Sequence, residues 1–342
     1  MNAISNNGSL PTRHDSKSAL EIPIALFDAS HGQPNWAQTG FTSREMHTNF
    51  AGLTEMLCRL GFRCRTTTNG ESLAQHLPKA KLLVLPSPTG RYDVRRERWR
   101  CDPSTLFAQQ HVQATLNFLE SGGSLLAFAY RFGDSFTQTN LGDIFAALGC
   151  RLNDDAVIDA SAVRQVHPLE IYFDTPLESL PLQWSRAGVA AVRWRPAATF
   201  TLVPADNIWP LVLSTGGRCL SFNRTLRRIS FESLPLAVAG RHGRGRFALF
   251  GGPHLFETSP LGLLAHGDNA RFLKNVIAWL RRDNEARELP AGETIPVLIP
   301  GSQSGLTHVE SYGNGERTIS SVERVLRKTG ILKALCRARW MP

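Results

Sequence analysis

The stretch Ser121-Gly122-Gly123-Ser124-Leu125-Leu126-Ala127-Phe128-Ala129-Tyr130 decides the fold. Two glycines stop what precedes them, and an uncharged, largely apolar run of strand length follows. Upstream, Thr105 to Glu120 carries Val112, Leu116 and Leu119 at helical spacing, so Ser121-Gly122-Gly123 reads as a helix stop. An unbroken apolar run entered from a helix marks a parallel strand covered on both faces.

The same alternation extends in both directions. Ile22 to Phe27, Lys81 to Leu85 and Arg246 to Phe250 are short runs of core-strand character, and Phe62 to Thr67 reads as a further strand. Between them lie helical patterns: Ser43 to Leu60, with Phe50, Leu53, Met56, Leu57 and Leu60 on one face and Gly61 as its stop, and a short one over Glu71 to Leu77. Leu141 to Leu148, ended by Gly149, and Asn269 to Leu280, with Phe272, Val276, Ile277 and Leu280 on one side, follow the same logic. Pro86 to Ser104 reads as a long irregular loop. From Arg151 to Gly245 the helical period disappears and short strand-like segments take over, among them Ala190 to Trp194, Thr199 to Val203, Pro210 to Ser214 and Arg228 to Phe231. The expected organisation is a disordered N-terminus over 1–20, an α/β domain over 21–282 with a β-rich insertion at about 151–245, a linker over 283–317, and a basic amphipathic helix over 318–342.

Composition narrows the class. The 342 residues are 42% hydrophobic and 20% charged, an ordinary globular balance. No stretch approaches the roughly 18 to 20 apolar residues that a bilayer demands, and Met1 to Leu20 is polar, so a cytoplasmic protein is expected. The formal net charge of +9 is concentrated at the C-terminus, where Arg317, Arg324, Arg327, Lys328, Lys333, Arg337 and Arg339 face a single Glu323. The body is therefore close to neutral, which makes nucleic acid an unlikely partner. Six scattered cysteines show no CxxC pair and no zinc spacing, and free thiols, most of them buried, are expected.

Several segments, in order, carry a family resemblance: Ala25-Leu26-Phe27-Asp28-Ala29-Ser30-His31, Phe118 to Leu126, Asn153-Asp154-Asp155-Ala156-Val157, His167-Pro168, Leu213-Ser214-Thr215-Gly216, and Gly245 to Gly251 with Pro253-His254-Leu255-Phe256. Together they resemble the glutamine-amidotransferase-like (GIFT, DUF4350-type) domain. That domain is shared by bacterial gliding-motility and ABC-transporter accessory proteins and by a core subunit of the intraflagellar-transport B complex. The resemblance implies a flavodoxin-like parallel sheet with helices on both faces. It also implies a nucleophilic cysteine on the turn after the strand at Ser124 to Tyr130. Here that turn is Ala129-Tyr130-Arg131-Phe132-Gly133, with neither Cys nor Ser before Ser135. A glutaminase without a thiolate cannot form its acyl intermediate, so this chemistry is read as lost. His254 and Glu257 echo the family's later His and Glu partners at an altered spacing.

In parallel α/β sheets ligands bind beyond the carboxyl ends of the strands. The loop after the first strand supplies Asp28, His31, Gln33 and Asn35 as hydrogen-bonding groups and Trp36 as a stacking surface. Either these hold a polar, carbohydrate-like ligand, or Asp28 and Asn35 cap turns within a self-bonded loop. Tyr130 and Arg131 occupy the former nucleophile turn, where Arg131 either binds an anion or pairs with a carboxylate such as Asp134. His254 belongs to the same crevice by topology; with His31 it forms an acid and base pair or a metal pair, or each makes one loop hydrogen bond. No metal and no cofactor are expected. Arg91 to Arg100, with five arginines around Tyr92 and Trp99, is a phosphate grip or a solvated loop, and Gly240 to Arg246 is a hairpin turn preceding a strand.

The leading expectation is a non-catalytic ligand-binding or scaffolding protein whose C-terminal helix serves a protein partner. The alternative is a hydrolase or transferase with His31 or His254 as general base and Asp28 orienting it. Third comes phosphate-driven nucleic-acid binding through the basic tail.

Overall fold

A computed structural model describes residues 22–31, 50–67, 71–88, 91–93, 98–159, 172–223, 229–258 and 262–282. The expected N-terminal tail, linker and C-terminal helix lie outside the described residues, as do Gln33, Asn35, Trp36 and His167. In chain order the elements are β1 (Ile24–Phe27), α1 (Ala51–Arg59), β2 (Arg63–Thr66), α2 (Leu73–His76), β3 (Leu82–Pro86), β4 (Arg91–Asp93), β5 (Arg98–Arg100), α3 (Gln109–Glu120), β6 (Ser124–Phe128), α4 (Gly133–Thr137) and α5 (Leu141–Ala147). There follow β7 (Cys150–Leu152), β8 (Asp155–Asp159), β9 (Phe173–Pro176), β10 (Ala191–Trp194), β11 (Phe200–Leu202), β12 (Ile208–Leu213), β13 (Cys219–Asn223), β14 (Ile229–Ser230), β15 (Pro235–His242), β16 (Gly245–Phe250) and α6 (Asn269–Arg281).

Seven strands form one sheet in the order β12-β15-β16-β6-β3-β1-β2. The five from β2 to β16 are parallel to their neighbours, while β15 and β12 add antiparallel at one edge. The apolar runs read from the sequence are split by the strand pleat between two cores. Phe27, Val84, Leu126, Phe128, Ala248 and Phe250 point to one face, under Leu53 and Leu57 of α1 and Phe272, Val276 and Ile277 of α6. Leu26, Leu83, Leu125, Ala127, Phe247 and Leu249 point to the other, under Leu119 of α3 and Phe145 of α5. Uninterrupted hydrophobicity in β6 is therefore required by burial on both sides.

The β-rich stretch after residue 150 divides. Two of its strands, β12 and β15, join the main sheet, because a tight turn with Gly243 at φ +54° returns β15 antiparallel onto β16. The rest forms small sheets, β14-β13-β8, β11-β7 and β10-β9, beside the carboxyl ends of the parallel strands. The irregular loop expected over Pro86 to Ser104 contains the antiparallel β4–β5 ladder. Helix α3 starts at Gln109, four residues later than its periodicity suggests. Asp102 Oδ1 accepts from Ser104 N at 3.0 Å to cap a separate short turn, and Asn140 clamps the Phe107 backbone in an extended conformation through bonds of 2.8 and 2.9 Å. The expectation that most thiols are buried fails for the five described cysteines. Cys150 and Cys219 are buried, Cys64 is half-buried, and Cys58 and Cys101 are exposed. Cys58 sits on the outward side of α1, and Cys64 belongs to the edge strand β2, whose residues are nowhere fully buried.

Candidate functional site

Strand β1 ends in a dense polar cluster. Asp28, fully buried, accepts at Oδ1 from Ser30 N (3.1 Å), Ser30 Oγ (2.6 Å) and Thr67 Oγ1 (3.0 Å). Its Oδ2 lies 2.8 Å from His31 Nδ1, and His31 Nε2 lies 3.0 Å from His111 Nδ1 near the start of α3. Phe107 packs on the His31 ring at a centroid distance of 4.2 Å. Burial pulls the Asp28 pKa upward, but the His31 bond and charge, with the Ser30 donors, outweigh it and hold the carboxyl below its ordinary range. His111 is pushed down by burial and by the charge of His31, and Asp28 offsets part of this. The result is a carboxylate–imidazole–imidazole chain running from the sheet to the half-buried His111.

The turn after β6 is held from outside. Phe132 adopts φ +60°, a left-handed conformation costly for a bulky residue, and its N–H donates to Asp155 O at 2.6 Å. The Asp155 side chain accepts from Thr199 N (2.8 Å), Thr199 Oγ1 (2.6 Å) and Ser221 Oγ (2.6 Å), anchoring the turn to β8, to the residue before β11 and to β13. Burial raises the Asp155 pKa against these donors. Arg131 is buried with its guanidinium carbon 5.2 Å from the centre of the Phe136 ring. Asp134, offered by the sequence as its partner, accepts from Gly142 N at 2.7 Å and from Thr139 Oγ1 at 3.2 Å. Tyr130 is half-buried as a residue, yet its phenol is enclosed: burial and then the Glu257 charge push its pKa up, against a smaller pull from Arg131.

Beyond β16, Gly251 and Gly252 lead to His254, whose Nδ1 lies 2.7 Å from Glu257 Oε2. The structure does not join His31 to His254. Each is engaged by its own carboxylate, and β1 and β16 are separated by β3 and β6, roughly 14 Å by the usual strand spacing. On the α1 and α6 side of the sheet the rings of Phe50, Phe128 and Phe256 stack at centroid distances of 5.1 and 4.5 Å, whereas Phe107, which packs on His31, belongs to the core of the opposite side. Asp28 (0%), His31 (4%), Arg131 (5%), His254 (5%) and Glu257 (1%) are all nearly closed to solvent. Asp28–His31 and His254–Glu257 are thus two separate buried polar pairs. Among the described residues no three His, Cys, Asp or Glu side chains converge as a metal site, and no helix is long and apolar enough to cross a membrane.

Sequence reading missed His111 and Thr67. Both meet Asp28 or His31 only through the fold, from positions 80 and 39 residues away in the chain, and neither belongs to a local motif. The Arg91 to Arg100 segment contributes the β4–β5 ladder.

No family model matches the chain. It is similar to the mouse (Mus musculus) protein named intraflagellar transport protein 52 homolog, with 25% identity over 193 residues. The match covers 52% of this chain and 42% of that relative, so the chain spans less than half of the relative's length. Among solved structures it is similar to the mmIFT52 N-terminal domain, with a TM-score of 0.55, 19% identity, and coverage of 76% of this chain and 97% of that one. It is also aligned with a cytoplasmic protein of Salmonella typhimurium at a TM-score of 0.41 and 11% identity, covering 75% of this chain and 98% of that one. The chain shares its mixed α/β fold, a parallel-rich sheet with helices, with the mmIFT52 N-terminal domain.

Proposed function

We propose that this chain is a non-catalytic scaffold built on a flavodoxin-like, glutamine-amidotransferase-like (GIFT, DUF4350-type) domain, with the catalytic cleft converted into packed structure. One observation carries the reading. The turn Ala129-Tyr130-Arg131-Phe132-Gly133 holds no cysteine or serine, and Asp28, His31, Arg131, His254 and Glu257 are all nearly closed to solvent. Acyl transfer in a glutaminase needs an attacking thiolate, and this turn supplies none. The sequence similarity to intraflagellar transport protein 52 homolog, a transport protein by its name, supports a structural role. In this reading the basic segment at 318–342 docks a protein partner, and the β1 loop with Gln33, Asn35 and Trp36 is the remaining place for a polar, carbohydrate-like ligand.

The Asp28–His31–His111 chain favours a second reading, a hydrolase or transferase in which Asp28 orients His31 as a base. One experiment separates the two. The full chain is assayed for ammonia release from glutamine and for hydrolysis of a nitrophenyl ester and a nitrophenyl glycoside, beside His31→Ala and His254→Ala. The scaffold reading expects background rates in all three proteins. Turnover in the wild type that either substitution abolishes would replace it with the enzyme reading.

A further inference from the structure

The edge of the sheet farthest from β12 carries two sulfurs that the site does not use. Cys58 Sγ, in the last turn of α1, lies 3.7 Å from Cys64 Sγ in β2. The intervening turn is rigidly closed: Gly61, at φ +85°, donates its N–H to Cys58 O at 3.0 Å, and Phe62 N–H donates to Leu57 O at 3.0 Å. This is the double bond pattern that ends many helices at a left-handed glycine. Phe62 is buried, with the Arg281 guanidinium carbon 5.4 Å from its ring centre, so the chain cannot swing one cysteine away from the other without breaking this anchor.

We propose that Cys58 and Cys64 are a redox pair that closes reversibly to an intrachain disulfide, with a small-molecule disulfide of the glutathione type as oxidant. The S–S bond is about 2.0 Å long, so closure asks the sulfurs to approach by about 1.7 Å. Rotation of the exposed Cys58 side chain supplies that movement while the backbone stays in place. The two cysteines have different environments and different roles. Cys58 is exposed and meets the oxidant, whereas Cys64 is half-buried, bonds Thr54 O at 3.7 Å, and has its thiol pushed up to about 12 by burial and by Cys58.

In the first step the Cys58 thiolate attacks one sulfur of glutathione disulfide. A Cys58–glutathione bond forms, the glutathione S–S bond breaks, and glutathione thiolate leaves and takes a proton. In the second, Cys64 loses its proton to solvent and attacks the Cys58 sulfur, releasing the second glutathione. Two protein thiols are oxidised and one glutathione disulfide is reduced to two glutathiones. The bond staples α1 to a strand that, among the described residues, has a ladder partner on one side only, and β2 runs directly into Thr67, which donates to Asp28.

The test uses the reduced full chain equilibrated in glutathione buffers from fully reduced to fully oxidised, followed by alkylation and peptide mapping by mass spectrometry. The wild type is expected to lose two alkylatable thiols together and to yield the Cys58–Cys64 cross-linked peptide. Cys64→Ser is expected to stop as a glutathione adduct on Cys58, and Cys58→Ser to keep Cys64 as a free thiol, with circular dichroism of both variants unchanged. The proposal is overturned if both thiols survive excess glutathione disulfide. It is equally overturned if the wild type stops at the Cys58 adduct, or if the cross-link joins Cys101 or Cys336 instead. None of these outcomes depends on whether the chain is a scaffold or an enzyme.

Discussion

The protons of the Asp28–His31–His111 chain are committed by its geometry. Asp28 accepts, so His31 Nδ1 carries hydrogen, and one proton is shared across the 3.0 Å gap between His31 Nε2 and His111 Nδ1. Burial, and then the charge of His31, hold His111 against charging, and Asp28 offsets part of this. The unfolded histidine titrates near 6.5 and the folded one lower, so the unfolded state binds more protons as pH falls through that range and stability drops. Asp134 acts in the opposite sense. Burial pushes it up to about 6 against the bonds from Gly142 and Thr139, so its contribution improves as pH falls from 6 towards 3.8. Urea denaturation at pH 7.5 and 5.5 should therefore show that Asp134→Asn loses more stability on acidification than the wild type, by about 1 kcal/mol, and that His111→Gln loses less. Identical pH slopes in all three proteins would contradict both assignments.

At the level of elements, the end of β16 is where the later β segments press on the sheet. Ala198 N donates to Gly251 O at 2.8 Å, and a Cβ placed on Gly251 would lie 1.8 Å from Ala198 O. Backbone cannot yield there as a flexible side chain would. Gly251→Ala is expected to cost about 3 kcal/mol, read as a lower denaturation midpoint at unchanged slope. Gly217→Ala is the control: Gly217 has φ +75° with nothing within 4 Å, so only the left-handed backbone is penalised, at about 1 kcal/mol. Equal losses in the two variants would show that crowding at Gly251 relaxes freely. The same scale explains which boundaries the sequence could carry. The α5 limits follow from its own period and Gly149, whereas α3 starts late because Asn140, 33 residues away, holds Phe107 extended.

For the whole molecule, the body closes on α6. Ser124 Oγ donates to Leu280 O at 2.7 Å and Arg246 Nη1 to Trp279 O at 2.6 Å, while Phe272, Val276, Ile277 and Leu280 are buried in the core. A chain ending at Arg282 is expected to keep its Tm within about 2 °C of the full chain by calorimetry, whereas one ending at Asn275 loses Ile277 and Leu280 and is expected not to fold. A fall of more than about 5 °C on removing residues 283–342 would mean that the tail is part of the body.

The chain's own residue order determined the alternation of strands and helices, the continuous apolar character of β1, β3, β6 and β16, and the missing nucleophile after β6. Each of these is a local pattern that the period of a strand or helix, or the identity of one residue, makes visible. Tertiary structure alone decided that Asp28 and His31 reach His111, that His31 and His254 are engaged by separate carboxylates, and that β12 and β15 enlarge the main sheet. The reason is that these depend on strand order and on contacts across dozens of residues, where the energy lies in which buried groups find partners and no short-range signal records the choice.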